Sequence, residues 1–325
     1  MDYLFQKLTE NIKSHSNVIL MTHKHPDLDG MGSAIGLYKI IKELKKECYV
    51  VKPTSKIDFS LEKAFQLIES NNMNIKFMEY PNLLNIIDDN SLLIVLDVQK
   101  PELVECKQLL EKNKDVFVID HHMNTSVHIE NTVFEYINSN KSSVVEIIVD
   151  YLKYLNKSVD FLTATLMSAG MEIDTHSYQL KTTDATFRAA SALARMGVDL
   201  TLKNELLKES MEDVIRRHDY IKNSYYIKEG YLLCDMGAGE INETVDLAIL
   251  ADELLRLDGV QVSFAVGKIE DNTVGVSARS MGKVSVEVIM SALGGGGHVT
   301  DAAATFENKS NAEVIEMIKK VVMEG

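Results

Sequence analysis

The chain has 325 residues, more than one domain usually holds, so we expect two domains with separate cores. Its 34 lysines and arginines and 48 aspartates and glutamates give a formal net charge of −14, which argues against broad binding to a long nucleic acid. Three widely spaced cysteines, Cys48, Cys106 and Cys234, form neither a disulfide framework nor a zinc site, which is typical of a reducing cytoplasm. No apolar run approaches the roughly 18 residues that span a bilayer, so the chain as given is expected to be soluble, without a membrane partner.

The N-terminal half alternates short apolar runs with segments of helical periodicity. Apolar runs lie at 17–22, 91–96 and 116–119, and this alternation predicts a parallel α/β sheet. In 33–47 the apolar side chains recur at helical spacing, which predicts an amphipathic helix beginning just after Asp29 and Gly30. Ligands bind an open parallel sheet at the carboxyl ends of its strands, so the residues after each run are candidate site residues.

Carboxylates and imidazoles are concentrated where these predicted strands end. They are, in chain order, His23, Asp27, Asp29, Asp97, Asp120, His121 and His122, with Asp174 at the end of a later predicted helix. Oxygen donors with a minority of imidazoles, and no cysteine nearby, favour manganese over zinc. Two such ions could share a hydroxide, lower its pKa and polarise a phosphoryl oxygen for in-line attack. Asp97 is the candidate bridge between them.

Beyond the predicted sheet, the pattern from 142 to about 207 is helical, with Thr183 as a predicted helix cap. The charge-mixed run that follows predicts a linker helix at 205–228. After it, strand-like runs alternate with helical ones, which predicts a smaller α/β unit. We therefore place a metal-binding catalytic domain at 1–204 and a second domain at 229–325.

A glycine-rich run stands in the second predicted domain. Four consecutive glycines let the backbone approach a ligand closely, and the histidine after them could meet a phosphate. An arginine and a serine on a preceding predicted strand offer a fork for phosphate oxygens. A flexible hinge or a surface arginine would give the same pattern. The predicted substrate contacts are Arg279, Ser280, Gly295, Gly296, Gly297 and His298.

These motifs together resemble the DHH/DHHA1 phosphoesterase family over nearly the full chain. The four recognisable DHH motifs are, in chain order, His23-x-x-x-Asp27-x-Asp29, Asp97, Asp120-His121-His122 and Asp174. The glycine run before His298 resembles the DHHA1 motif. The resemblance implies a parallel-sheet DHH domain joined by a linker helix to a smaller, substrate-binding α/β DHHA1 domain.

The resemblance also implies roles for the site residues, and it makes a homodimer the candidate assembly. Asp120 and His122 would be catalytic, with His122 beside substrate or leaving-group oxygens. Two manganese ions per chain are implied. One would be held by His23, Asp27 and Asp97, and the other by Asp29, Asp97, His121 and Asp174.

Within the family, the segments around His23, Arg279 and His298 look most like the catalytic module of bacterial cyclic-di-AMP phosphodiesterases. The expected reaction is therefore manganese-dependent hydrolysis of cyclic-di-AMP to pApA, with further cleavage to AMP left open. One alternative is an oligoribonuclease and pAp phosphatase that acts on short linear ends, and the non-enzymatic alternative is a nucleotide-binding regulator. Such phosphodiesterases usually carry membrane helices and further domains upstream, so we expect either a stand-alone soluble member or an excised catalytic module.

Overall fold

The structure is a computed structural model that describes residues 1–123, 127–237, 239, 241–242 and 244–324. The chain divides into two compact units, Met1–Glu209 and Ser210–Gly325. The first is built on a parallel sheet and the second on a smaller mixed sheet, so the predicted fold class is confirmed. In the described part of the chain, no helix is long and apolar enough to cross a bilayer.

The first unit contains a six-stranded sheet in which every neighbouring pair of strands is parallel. Its strands are β1 (Asn17–Met21), β2 (Glu47–Val51), β3 (Phe77–Met78), β4 (Ser91–Leu96), β5 (Asp115–Asp120) and β6 (Phe134–Ile137). Their order is β3-β2-β1-β4-β5-β6. Strands β1 and β4 are buried at every residue because helices cover both faces of the sheet, which explains their unbroken apolar sequences.

Within the part of the first unit that the structure describes, nine helices surround this sheet or extend from it. They are α1 (Asp2–Ser14), α2 (Leu28–Glu43), α3 (Phe59–Ser70), α4 (Tyr80–Leu83), α5 (Lys107–Lys112), α6 (Val144–Tyr154), α7 (Phe161–Asp174), α8 (Asp184–Arg195) and α9 (Leu200–Leu206). Thr183 caps α8 through its side chain, as predicted. Helix α2 begins at Leu28, earlier than its apolar periodicity predicts, because the Asp27 side chain accepts a hydrogen bond from the backbone N–H of Gly30.

Glycines bring α2 and α7 unusually close together. A Cβ atom at Gly170 would lie 2.8 Å from Asp29 Cα and closer still to the Leu28 carbonyl oxygen, which no real side chain could tolerate. On α2, a Cβ at Gly32 would lie 3.1 Å from the Leu166 carbonyl oxygen. The two helices each carry an acidic residue of the predicted site, so this close crossing sets the separation between them.

The described residues of the second unit form a six-stranded sheet in the order β11-β12-β10-β9-β8-β7, in which β8 and β9 pair in parallel and the other neighbouring strands are antiparallel. Its elements are α10 (Met211–Lys222), β7 (Tyr225–Lys228), β8 (Tyr231–Asp235), α11 (Thr244–Leu255), β9 (Val262–Glu270), β10 (Thr273–Ser280), α12 (Val286–Ala292), β11 (Gly296–Gly297), β12 (Asp301–Glu307) and α13 (Asn311–Glu324). Helix α10, within the predicted linker, packs on this unit, where Arg217 Nε lies 3.1 Å from Glu253 Oε1.

Candidate metal centre

The carboxyl edge of the parallel sheet gathers the predicted metal ligands. His23 lies just after β1, Asp97 directly after β4 and His121 directly after β5. Asp174 is the last residue of α7, and Asp29 lies in the first turn of α2. Parallel strands end at one edge and the α2–α7 crossing lies beside it, so residues far apart in sequence meet there.

Asp97 lies at the middle of the cluster. Its Oδ2 is 3.5 Å from His23 Nε2, and its Oδ1 is 3.3 Å from His121 Nε2. Beyond these imidazoles, Asp27 Oδ1 is 3.9 Å from His23 Nε2 and Asp174 Oδ2 is 2.9 Å from His121 Nε2. The backbone of Asp97 has a φ of +63°, a strained value that recurs at functional sites. The two oxygens of Asp97 therefore face two different groups of ligands.

Donor atoms in the cluster are close enough to share cations. In each of three sets, one donor atom per residue lies within 4.8 Å of the others. These sets are His23–Asp27–Asp97, Asp29–His121–Asp174 and Asp97–His121–His122. The first two match the ligand groups that the family resemblance implies, with Asp97 beside both.

Backbone carbonyl groups orient the His23 and His121 imidazoles toward the cluster. The Nδ1–H of His23 donates to the Lys24 carbonyl oxygen at 2.8 Å, and His121 Nδ1 lies 3.4 Å from the Lys141 carbonyl oxygen. Each ring therefore directs Nε2 at the carboxylates. An imidazole that donates from one nitrogen to a carbonyl group and offers the other to a cation is the usual arrangement of a metal-binding histidine.

Asp29 is held by the N-terminus of α6. The backbone N–H groups of Val144 and Val145 donate to its Oδ2 and Oδ1 at 2.7 and 3.0 Å. Both donors belong to the first turn of α6, where amide groups have no partner within the helix and attract negative charge. Asp29 is completely buried, so these two bonds fix its carboxylate in the site.

Asp120 and His122 form a separate pair at the rim of the cluster. Asp120 is completely buried and accepts a 2.7 Å hydrogen bond from His122 Nδ1. It also accepts one from Gln99 Nε2 at 3.0 Å. The His122 side chain is 56% exposed, so its Nε2 is accessible to a ligand. This geometry suits Asp120 to orient the His122 imidazole, so a catalytic contribution of Asp120 would be made through His122.

The carboxylates and imidazoles shift one another's pKa values strongly. Burial lowers the pKa of His23, but the Asp27 and Asp97 carboxylates outweigh it and raise that pKa to about 11. Likewise, burial is outweighed at His121, whose pKa is raised by Asp174 and Asp97. Burial and neighbouring carboxylates raise the pKa of Asp29, and burial raises that of Asp174 to about 6. Without a cation, the imidazoles carry the positive charge that this pocket requires.

Two buried atoms at the centre lack hydrogen bonds. Among the described residues, Asp97 Oδ1 and His121 Nε2 have no partner in hydrogen-bond geometry, although they lie 3.3 Å apart and His121 Nε2 lies 2.9 Å from Asp174 Oδ2. Poorly oriented contacts of this kind are costly in a protein interior, and a bound cation would give both atoms a well-placed partner. The donor set, with several aspartates and two inward-facing imidazoles, fits divalent manganese or magnesium better than a structural zinc site.

The predicted substrate residues lie together in the second unit, at one end of its sheet. Arg279 Nε is 3.0 Å from Asp252 Oδ1 and 3.6 Å from Asp301 Oδ1. The Ser280 hydroxyl donates to the carbonyl oxygens of Val284 and Val299, so its role within the protein is to hold the turn after β10.

The glycine run has unequal steric requirements. A side chain at Gly295 or Gly297 would collide with the backbone of β12, whereas Gly296 has open space around its Cα. The backbone N–H of His298 donates to the Asp301 carbonyl oxygen at 2.6 Å, and the His298 side chain is partly exposed. The run therefore forms the edge strand β11 against β12, with Gly296 as its open position.

Sequence reasoning missed three residues that shape the site. Gln99 has only its place after a strand to suggest a role, and Glu146 reads as an ordinary helix-cap residue. Gly30 could have been found from its place in the D-x-D-G motif. A Cβ at Gly30 would lie 3.3 Å from Asp97 Oδ2 and 3.5 Å from His23 Nε2. The glycine thus lets the backbone of α2 approach the ligands.

Comparisons with known families agree with this architecture. The model described as "DHH family, N-terminal domain" matches residues 17–171, which include every predicted ligand except Asp174. The model described as "DHHA1 domain" matches residues 229–324, which include all the predicted substrate contacts.

Several curated relatives are named for phosphoesterase activities. Cyclic-di-AMP phosphodiesterase GdpP of Geobacillus thermodenitrificans is 35% identical over 97% of this chain and 48% of its own length. Cyclic-di-AMP phosphodiesterase PdeA of Listeria monocytogenes is 33% identical over 95% of this chain and 47% of its own length. The chain therefore spans about half the length of these relatives. The bifunctional oligoribonuclease and PAP phosphatase NrnA of Thermus thermophilus is 27% identical over 94% of this chain and 89% of its own length.

Solved structures share the fold at low sequence identity. An exopolyphosphatase-related protein from Bacteroides fragilis superposes with a TM-score of 0.81 and 16% identity, covering 100% of this chain and 96% of its own. RecJ from Thermus thermophilus, solved in complex with Mn²⁺, gives a TM-score of 0.57 and 13% identity, covering 99% of this chain and 54% of its own. These similarities establish the two-domain fold.

Proposed function

The chain belongs to the DHH family and carries a DHHA1 domain, and from this premise we propose that it is a manganese-dependent phosphodiesterase that hydrolyses cyclic-di-AMP to pApA. The observation that carries the proposal is the position of Asp97 between two ligand groups, each with an inward-facing imidazole. A cluster of carboxylates and imidazoles with this arrangement is typical of a site for two divalent cations.

Two bound cations would supply an activated water and would neutralise the charge of a phosphodiester group. The residues of the chain would orient the ligands and supply a proton. Asp97 spaces the two ligand groups, and the Lys24 and Lys141 carbonyl groups keep the imidazoles turned inward. His122, oriented by Asp120, presents its accessible Nε2 where it can donate a proton to the leaving oxygen.

Substrate binding is assigned to the second domain. Arg279 and His298 would position a phosphate group, and Gly296 would let the backbone approach the substrate. Asp252 and Asp301 hold the Arg279 guanidinium at the end of β10. The partner is a small dinucleotide and not a long nucleic acid, because a net charge of −14 would repel an extended polyanion.

A second candidate is cleavage of short linear oligonucleotides and pAp. It is favoured by the relatives named for that activity, but these are less similar to the chain than those named for cyclic-di-AMP. Both reactions would use the same cations. A regulator that binds nucleotides without hydrolysis would have no need for a complete set of ligands, so the retained set favours an enzyme.

The test is to incubate the protein with Mn²⁺ and cyclic-di-AMP, pApA or pAp in separate reactions, and to follow the products by chromatography. We expect rapid conversion of cyclic-di-AMP to pApA. Consumption of only pApA and pAp would favour the linear activity, and binding of cyclic-di-AMP without turnover would favour the regulator. His121→Ala serves as the inactive control.

A further inference from the structure

Glu146 is a buried acidic residue outside the predicted ligand set. It lies in the first turn of α6, three residues after the N-cap Ser143, and is completely buried. This S-x-x-E spacing is typical of a capping box, in which the glutamate bonds the N-cap backbone N–H. Here its carboxylate instead accepts hydrogen bonds from the residue before the cap, Ser142. The glutamate therefore fixes the approach to the helix.

The carboxylate of Glu146 is fully engaged. Oε2 accepts from the Ser142 hydroxyl at 2.7 Å, the Ser142 backbone N–H at 3.2 Å and the Thr186 hydroxyl at 3.0 Å. Oε1 accepts from Lys141 Nζ at 2.9 Å, and Lys141 also pairs with Asp150 Oδ2 at 2.9 Å. Burying a charge is costly even when it is paired. Capping of α6 alone therefore does not account for the buried hydrogen-bond network around Glu146.

The segment that Glu146 holds makes two contacts to predicted ligands. The carbonyl oxygen of Lys141 lies 3.4 Å from His121 Nδ1. Only a few residues later, the N–H groups of Val144 and Val145 donate to Asp29. One short piece of backbone thus sets the direction of an imidazole and the place of a carboxylate.

We propose that Glu146 is a positioning residue for one half of the metal centre, the group of Asp29, His121 and Asp174, an inference that rests on the proposed two-cation function. Its carboxylate anchors 141–145, and that segment orients two of the three ligands. The third, Asp174, lies 2.9 Å from the His121 ring that the segment orients. Loss of the negative charge loosens the anchor and widens the range of positions that the two ligands adopt.

The other half of the centre is positioned by different contacts. His23 donates from Nδ1 to the Lys24 carbonyl oxygen, and Asp27 is fixed by the Gly30 N–H at the start of α2. A change at Glu146 should therefore weaken one cation site and spare the other. This asymmetry distinguishes positioning from a general loss of stability.

The test uses Mn²⁺ titration of the metal-free full chain by calorimetry, with Glu146→Gln as the variant and Glu62→Gln as the matched control. Glu62 occupies the first turn of α3 but is exposed. We expect two equivalents of Mn²⁺ in wild type and in the control. In Glu146→Gln, one equivalent should keep its affinity while the other weakens about 10- to 100-fold, the usual cost of losing a residue that supports a metal ligand.

A spectroscopic measurement and a second variant complement the calorimetry. Electron paramagnetic resonance should show coupled Mn²⁺ pairs in wild type and uncoupled ions in Glu146→Gln at the same subsaturating Mn²⁺ concentration. Should Glu146→Gln fail to fold, Ser142→Ala removes one anchoring bond, keeps the charge and should weaken the same equivalent. Equal weakening of both equivalents, or unchanged binding, overturns the inference. Fewer than two equivalents in wild type contradicts the proposed function instead.

Discussion

At the residue scale, Asp97 connects the two halves of the site. Its side chain is 2% exposed, and its two oxygens face His23 and His121. Although burial raises it, these imidazoles hold the pKa of Asp97 below its ordinary value, so the residue stays ionised and available to cations. A carboxylate in this position should affect both cations at once.

Replacement of Asp97 by asparagine should therefore remove both cation sites. We expect Asp97→Asn to lower phosphodiesterase activity by more than about 100-fold, beyond the usual cost of losing an indirect support. It should also abolish high-affinity Mn²⁺ binding, measured by calorimetry. Asp89→Asn is the matched control, because Asp89 is 88% exposed. Retention of one tight equivalent in Asp97→Asn would argue against a bridging role.

Asp120 and His122 should behave as one unit. Because Asp120 contacts His122 directly, we expect Asp120→Asn and His122→Ala each to lower kcat by about 100- to 10,000-fold, the usual contribution of a general acid. The double variant should be no worse than His122→Ala alone. Steady-state kinetics of the three variants measures the coupling. Additive losses would mean that Asp120 contributes independently of the imidazole.

Much of the site could be predicted at this scale, since the eight candidate residues lie at or beside the termini of strands and helices in recognisable motifs. The sequence did not reveal which of these residues act by orienting another. Asp120 looks equivalent to its neighbours in the D-H-H triplet, yet its burial and its bond to Gln99 direct it toward His122. Glu146 was hidden for a different reason, because a buried carboxylate and a surface helix cap have the same local sequence.

At the scale of elements, the α2–α7 crossing controls the distance between Asp29 and Asp174. The glycines there are a packing requirement that hydrophobic periodicity does not reveal. Apolar periodicity also placed the start of α2 too late. The first turn of the helix, which follows the Asp27 cap, contains residues that are not apolar.

Gly170→Ala should destabilise the first unit and displace Asp29. The added Cβ meets rigid backbone, so we expect a loss of about 1–3 kcal/mol in the free energy of unfolding, measured by urea denaturation. Gly36→Ala is the matched control in the same interface. Its Cβ would meet the Met167 sulfur at 2.7 Å, but that side chain can move, and alanine favours the helix. Equal losses in both variants would contradict this account of the crossing.

At the scale of the whole molecule, the chain combines a strongly acidic composition with an acidic pocket. Cations should therefore stabilise the folded protein as well as support hydrolysis. The sequence predicted this two-domain α/β organisation from the alternation of strands and helices. It could not supply the side-chain contacts within each unit, because those depend on which ends of distant elements meet.

Removal of divalent metal should abolish activity and lower thermal stability. After treatment with chelator, Mn²⁺ should restore hydrolysis better than Mg²⁺ or Zn²⁺, since the ligands are mainly carboxylates with a minority of imidazoles. At about 100 times its dissociation constant, a bound ion should stabilise the fold by about 2.7 kcal/mol, measured as a rise in the free energy of unfolding. Recovery with zinc alone would contradict the assignment of manganese.

In the proposed metal centre, Asp97 joins two cation sites. Crystals of the protein soaked in Mn²⁺ would test it directly through an anomalous difference map at the manganese absorption edge. We predict two peaks about 3.5–4 Å apart, one beside His23 and Asp27 and one beside His121 and Asp174, with Asp97 between them. A single peak, or peaks that do not contact Asp97, would contradict the account.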